Sequence, residues 1–179
     1  LSSTVTKVIG KEKLEKIELS KVDENLKVIP NTQLYFDVDT LLLSIGLTPA
    51  TDLLTGLGLK IHPRTKGPYV NEHNETLIPG IFVAGNGLHV HDLVDYVTME
   101  ARESAIGAYC YLNNLLHYEN KNILVEAKSG IGYVLPQRIN YLNIDDYFTI
   151  KFRVSKPMKN VEIVIKCDDI VIKRIKKLN

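Results

Sequence analysis

The segment with the greatest capacity for chemistry holds two histidines followed by two carboxylates, His89, His91, Asp92 and Asp95. Imidazole titrates near neutral pH, so His89 or His91 could donate or accept a proton during a reaction. The same side chains could instead ligate zinc or iron. Their order does not follow the H-x-H-x-D-H spacing of metallo-hydrolases, because Asp92 directly follows His91. We therefore favour a loop that lines an active site or caps a helix over a metal site, with an unrelated surface segment as the remaining alternative.

Other reactive residue types in this chain have structural interpretations. Asp92 or Asp95 would make a suitable N-cap for a following helix. Glu100 is predicted to be a solvated carboxylate on that helix. Cys110 and Cys167 form no C-x-x-C pair, and both are predicted to be buried core residues in a reducing compartment. Redox chemistry would therefore need a bound cofactor.

The turn Ala84-Gly85-Asn86 has the properties of a cofactor-binding turn. Gly85 lacks a Cβ and lets the backbone approach a ligand closely. Asn86 can hydrogen-bond a ribityl hydroxyl. A helix that begins after the turn would aim its free N–H groups and its positive dipole end at whatever ligand lies there. If that ligand were a flavin pyrimidine edge, the helix end would stabilise the charge that develops on reduction by on the order of 1 kcal/mol.

Two apolar runs are predicted to form the strands that position this turn. Residues 38–46 and 81–84 have the near-continuous apolar character of strands buried on both faces of a parallel sheet. Shorter patterns predict strands over residues 4–9, 14–19 and 33–36 and an edge strand or hairpin arm over residues 67–71. Helices are predicted over residues 50–57 and 95–116. The apolar face of the second helix would consist of Ala101, Ala105, Ala108 and Leu112.

The pattern changes near residue 118. Short strands separated by turns are predicted over residues 124–127, 132–135, 147–154, 161–167 and 170–175. The predicted fold class is therefore α/β over residues 1–118, followed by a small all-β C-terminal domain of β-sandwich type over residues 119–179.

The composition of the 179 residues is that of an ordinary globular chain, with 45% hydrophobic residues and a net charge of +1. This balance gives no global argument for nucleic acid or a membrane surface as a partner. No apolar run approaches the length of a membrane span. Because the two cysteines form no disulfide framework, a cytoplasmic protein is the expected default. Residues 150–179 hold nine Lys or Arg against three Asp or Glu. Without interleaved aromatic residues, this bias favours protected strand edges or an acidic partner over nucleic acid.

Two spaced motifs carry a family resemblance. An acidic residue, Asp39, opens a run that ends in Gly46-x-x-Pro49, and about thirty residues later comes Thr76-x-x-Pro79-Gly80-Ile81-Phe82-x-Ala84-Gly85-Asn86. The pair resembles the pyridine nucleotide-disulfide oxidoreductase superfamily, in which the second motif ends in an Asp that holds the flavin ribityl chain. The chain differs in having Asn86 at that position, which keeps an acceptor oxygen but removes the charge.

The resemblance implies a set of site residues. Gly46, Gly85 and Asn86 would contact FAD, and the backbone of Val97, Thr98 and Met99 would lie near the flavin pyrimidine. His89 and His91 would be the candidate proton donors beside the isoalloxazine ring.

A closer resemblance covers residues 5–175 and is carried by the segments 38–47, 87–95, 133–139 and 152–161. It is to a bacterial group of FAD-dependent NAD(P)-type oxidoreductases that are often associated with a glycerol-3-phosphate dehydrogenase partner. On this resemblance, residues 1–45 would be the tail of an NAD(P)-binding domain returning to the FAD domain. Residues 46–118 would be the C-terminal part of the FAD-binding domain.

The sequence contains no G-x-G-x-x-G, the pyrophosphate-binding motif of dinucleotide domains. We therefore expect a fragment of an FAD-dependent oxidoreductase that passes electrons between NAD(P)H, flavin and a partner or substrate. Alone it is expected to be inactive and to bind neither cofactor tightly. The alternatives are a non-catalytic subunit-interaction module and a metal-dependent hydrolase that uses His89 and His91.

Overall fold

The computed structural model describes residues 2–44, 46–118 and 122–177. It divides the chain into two compact units, Leu1–Gly46 and Leu47–Asn179. Each unit has its own sheets, and the candidate site lies in the second.

The first unit is a three-stranded antiparallel sheet. Its strands are β1 (Ser3–Ile9), β2 (Lys16–Lys21) and β3 (Leu34–Asp37), in the order β1-β2-β3. A bulge between Val5 and Lys7 shifts the register of β1 against β2. The three strands predicted from the alternating pattern are confirmed to within a few residues.

The apolar run after β3 is not the buried strand that the sequence predicts. Residues 38–44 form no strand, and Leu42 and Leu43 are 90% and 64% exposed. Residue 45 lies outside the described residues. A strand buried on both faces needs neighbours at its edges, and among the described residues no strand pairs with this run.

The second unit holds two α-helices, α1 (Asp52–Gly56) and α2 (Val94–Leu112). Both predicted helices are therefore present, although each is shorter than expected. The predicted N-cap of α2 is wrong, because the N-cap is Leu93, whose side chain makes no capping hydrogen bond. Asp92 instead pairs with a distant arginine, and Asp95 lies in the first turn.

The buried face of α2 differs from the predicted one. Its buried residues are Glu100, Ser104 and Gly107, whereas Ala101, Ala105 and Leu112 are exposed and Ala108 is half-buried. The face is rotated by one residue because polar partners satisfy Glu100 and Ser104, and because Gly107 permits close approach. A Cβ on Gly107 would lie 2.7 Å from the Cβ of His73.

Six strands follow α2 as three separate antiparallel pairs. The strands are β4 (Asn122–Leu124), β5 (Ile131–Leu135), β6 (Arg138–Asn140), β7 (Lys151–Val154), β8 (Val161–Cys167) and β9 (Ile170–Lys177). The pairs are β4 with β6, β5 with β7 and β8 with β9. Small sheets thus dominate the described residues, and neither a parallel α/β sheet nor a continuous β-sandwich is present among them.

The core of the second unit lies between its loops and β5. Val70, Leu88 and Leu135 are buried together, with Val83 and Tyr133 packed against them. The predicted edge strand at residues 67–71 and the predicted buried strand at residues 81–84 each contribute only one isolated bridge. The bridge at Phe82 pairs this residue with Glu75, since the Ile81 carbonyl accepts from the Thr76 amide and the Asn74 carbonyl accepts from the Val83 amide.

The cysteines differ from the prediction of two buried core residues. Cys110 is half-buried and Cys167 is exposed. Cys167 adjoins the Asp168–Asp169 turn of the β8–β9 hairpin, where little chain covers it. Across residues 2–44, 46–118 and 122–177, no helix is both long and apolar enough to cross a membrane.

Candidate functional site

A buried carboxylate on α2 is the centre of the candidate site. Glu100 is fully buried, which overturns the predicted solvated position. Its Oε2 accepts from the Gly85 amide at 2.7 Å and from His91 Nε2 at 2.9 Å. Its Oε1 accepts from His89 Nε2 at 3.1 Å and from Lys151 Nζ at 3.0 Å. Four donors thus match the roughly four acceptor positions of one carboxylate.

Both predicted proton-donor histidines lie in this cluster. The His89 and His91 side chains are only 9% and 5% exposed, and their ring centroids are 4.1 Å apart. Because an ionised carboxylate can only accept, Nε2 of each ring carries a proton. In neutral His89, Nδ1 then accepts from the Tyr133 hydroxyl at 3.1 Å. The structure brings the two histidines together, with both side chains directed into a buried ion cluster.

The electrostatics of the cluster keep Glu100 charged. Burial alone would raise the pKa of Glu100, because a charged carboxylate loses hydration. The hydrogen bonds from His89 and His91 and the charge of Lys151 outweigh that penalty and lower its pKa to about 2. Glu100 is therefore a carboxylate throughout the physiological pH range.

We predict an acid-dependent loss of stability from this residue. Since the folded pKa lies below the ordinary value of 4.5, the stabilisation is complete above about pH 4.5 and is lost as pH falls towards about 2. The difference between the folded pKa and the ordinary pKa corresponds to a contribution to the free energy of unfolding on the order of 3 kcal/mol at most. Urea unfolding at several pH values would measure it, with Glu100→Gln as the control that lacks the titrating group. A pH-independent difference between the two proteins would contradict the prediction.

The turn at residues 85–91 is held from several sides. Gly85 has a φ of +62°, which glycine adopts readily. A Cβ there would lie 3.0 Å from Val97 Cγ1, so the turn packs directly on α2. Asn86 is exposed, and its Oδ1 accepts from the His91 amide at 3.3 Å. The structure thus brings Gly85, Asn86, Val97 and both histidines into one site.

The remaining predicted residues are placed differently. Thr98 and Met99 are exposed on α2, and the Thr98 hydroxyl donates to the Val94 carbonyl at 3.3 Å. Gly46 ends the first unit and has a φ of +86°. Thr98 and Met99 share a helix end with Val97, whereas Gly46 is described only within its own unit.

His89, His91 and Glu100 also have the composition of a metal site, with one potential ligand atom from each within 4.8 Å of the others. However, Lys151 Nζ lies 3.0 Å from the Glu100 Oε1. A divalent cation bound to that carboxylate would displace or repel the ammonium group. The arrangement favours a hydrogen-bonded ion cluster over the metal-dependent hydrolase.

Sequence reasoning missed three members of the cluster. Glu100 was assigned to solvent, while Tyr133 and Lys151 come from strands far along the chain. One usable signal was the spacing of Glu100 and Glu103, which places two carboxylates about one helical turn apart. Lys151 Nζ bridges them, lying 2.7 Å from Glu103 Oε2.

Comparison with known proteins places this site in context. The family model described as pyridine nucleotide-disulphide oxidoreductase matches residues 1–106. This match includes the turn, both histidines and Glu100.

Two curated relatives are similar over most of the chain. An NADH oxidase of Methanocaldococcus jannaschii is 32% identical over 132 residues, covering 72% of this chain and 25% of the relative. An NADH oxidase of Streptococcus pneumoniae is 29% identical over 140 residues, covering 74% of this chain and 26% of the relative. The chain therefore spans about a quarter of the length of these relatives.

Proposed function

We propose that this chain, which belongs to the pyridine nucleotide-disulphide oxidoreductase family, forms part of the flavin site of an FAD-dependent oxidoreductase that uses NAD(P)H. A redox function is common to the family. The observation that carries the finer proposal is the turn at residues 85–91, which packs on the start of α2 and precedes a helix end whose N-cap side chain makes no capping hydrogen bond.

The described residues fit a flavin in three respects. Asn86 is exposed, and its side-chain oxygen can accept a hydrogen bond from a ribityl hydroxyl. The first amides of α2 have no partners within the helix, and the side chain of the N-cap Leu93 makes no capping hydrogen bond. Leu93, Val94 and Met99 are exposed around that helix end and would cover an aromatic ring system.

When bound, FAD would supply the hydride-accepting group for oxidation of NAD(P)H. The residues of this chain would position it: Asn86 at the ribityl chain and the α2 amides at the pyrimidine edge. The histidines would act indirectly, by holding the turn in place. His91 holds the turn to Glu100, and His89 connects Glu100 to the Tyr133 hydroxyl.

The names of both relatives support NADH as the electron donor.

The electron acceptor is proposed to be a substrate or a separate redox subunit of the glycerol-3-phosphate dehydrogenase type, as the sequence resemblance implies. Purification of the natural full-length protein from its host would test the partner, and a protein that never co-purifies with a dehydrogenase subunit would argue against it.

Replacing the ribityl-binding side chain should weaken flavin binding. Asn86→Ala removes the side-chain amide, and loss of one hydrogen bond of about 1–1.5 kcal/mol raises the FAD dissociation constant by about five- to twelvefold. Titration of the full-length apoprotein, followed by flavin fluorescence quenching, measures the change. Asn86→Asp keeps the acceptor and should retain binding.

The control for this experiment is Asn25→Ala, at an exposed turn of the first unit, which should leave FAD affinity unchanged. Equal affinity in Asn86→Ala and the wild type would remove Asn86 from the proposed site. A full-length wild-type protein that binds no flavin would overturn the proposed function and favour a non-catalytic interaction module.

A further inference from the structure

Three side chains from the C-terminal strands reach the turn and the start of α2. Tyr133 on β5 contacts His89 Nδ1 at 3.1 Å. Lys151 and Arg153 on β7 contact Glu100 Oε1 at 3.0 Å and Asp92 Oδ2 at 2.8 Å. All three lie beyond residue 106, where the family match ends. The segment outside the match therefore contributes to the site inside it.

Lys151 has the most demanding environment of the three. Its side chain is 25% exposed, and its ammonium lies between the carboxylates of Glu100 and Glu103. By comparison, the Arg153 and Asp92 side chains are 46% and 74% exposed, so their ion pair is weak. A partly buried ammonium loses hydration, and two carboxylates on one helix compensate for that loss.

We propose that Lys151 is a positioning residue of the flavin site, which acts through Glu100 to fix the turn at residues 85–91. This inference rests on the proposed function. It makes the β5–β7 pair a required part of the site rather than an appended module.

Lys151 can act through Glu100 because the two carboxylate oxygens of Glu100 have different partners. Its Oε2 fixes the turn through the Gly85 amide and His91, while Lys151 supplies the one permanent positive charge at Oε1. Without Lys151, His89 is the one remaining donor to Oε1 among the described residues, and none of these gives the buried carboxylate a permanent counter-charge. The carboxylate can then rotate or draw a proton, and either change releases the Gly85 and His91 contacts.

The test compares FAD dissociation constants of full-length variants. Lys151→Met should raise the constant at least about tenfold, because a buried charge loses its partner. Lys151→Arg keeps the charge and the reach to both carboxylates, and should stay within about threefold of the wild type. The matched control is Lys156→Met, which replaces an exposed lysine on the same segment. Its FAD dissociation constant should differ from that of the wild type by less than about twofold.

A double variant separates positioning from a general loss of folding. Lys151→Met combined with Glu100→Gln should bind FAD no more weakly than the worse single variant, because both residues act in one cluster. If Lys151→Met does not fold, Lys151→Gln takes its place in the comparison.

Three results would overturn the inference. The first is unchanged affinity in Lys151→Met, and the second is failure of Lys151→Arg to restore it. The third is stoichiometric Zn²⁺ binding through His89 and His91, because the ion would need the Glu100 oxygen that Lys151 holds. A wild-type protein that binds no flavin overturns the proposed function itself, which distinguishes the two failures.

Discussion

Glu100→Gln should lower the free energy of unfolding by about 3–5 kcal/mol, the range seen when one member of a buried ion pair is removed. The glutamine amide has one acceptor oxygen and an NH₂ group that can only donate. The NH₂ group would therefore occupy the position of Oε1 or Oε2 and face hydrogen-bond donors there. At least one of the Gly85, His91, His89 and Lys151 donors would lose its partner inside the protein.

Urea denaturation of the full-length protein at neutral pH measures this loss. Glu103→Gln is the matched control, since Glu103 lies on the same helix and also binds Lys151 but is 33% exposed. Glu103→Gln should lower the free energy of unfolding by less than about 1 kcal/mol. Equal effects of the two substitutions would show that Glu100 is not the centre of the cluster.

Gly67→Ala should destabilise the second unit by about 3 kcal/mol or more, at or above the upper end of overpacking effects. A Cβ at residue 67 would lie 1.9 Å from the Leu88 carbonyl oxygen and 2.5 Å from its carbonyl carbon. Relief requires backbone movement, because Leu88 is fully buried in the core. Gly67 is also held in place, since its carbonyl accepts from the His62 amide at 2.8 Å.

Thermal and urea unfolding would both report this loss, and a shifted Leu88 should also disturb the neighbouring His89. Gly56→Ala is the control, because nothing lies within 4 Å of a Cβ there. At the end of α1, alanine should be neutral or stabilising by under about 1 kcal/mol. Wild-type stability in Gly67→Ala would mean that the loop and Leu88 do not pack as closely as described.

The sequence was most informative where structure depends on local chemistry. The β8–β9 hairpin and α2 follow from apolar patterns and turn residues, which act within a few positions. The Ala84-Gly85-Asn86 turn was recognised in the same way, since glycine and a short amide have local backbone consequences. His89 and His91 were grouped because they are neighbours in the chain.

The errors concern partners that are distant in sequence. A glutamate is assigned to solvent unless something shows what neutralises it, and Lys151 lies 51 positions from Glu100. Likewise, an apolar run such as residues 38–44 looks like a buried strand, but local pattern does not reveal whether neighbouring strands pair with it. Burial of a polar side chain is a property of the assembled structure.

The Gly85 amide has a consequence for experiments in solution. Its hydrogen is directed at a fully buried carboxylate, so it can exchange with solvent deuterium only when the turn separates from α2. The exchange rate of this single amide therefore reports the free energy of opening that junction. Because β7 supplies Lys151 to the same carboxylate, loosening of the C-terminal strands would be registered at a glycine more than sixty residues earlier.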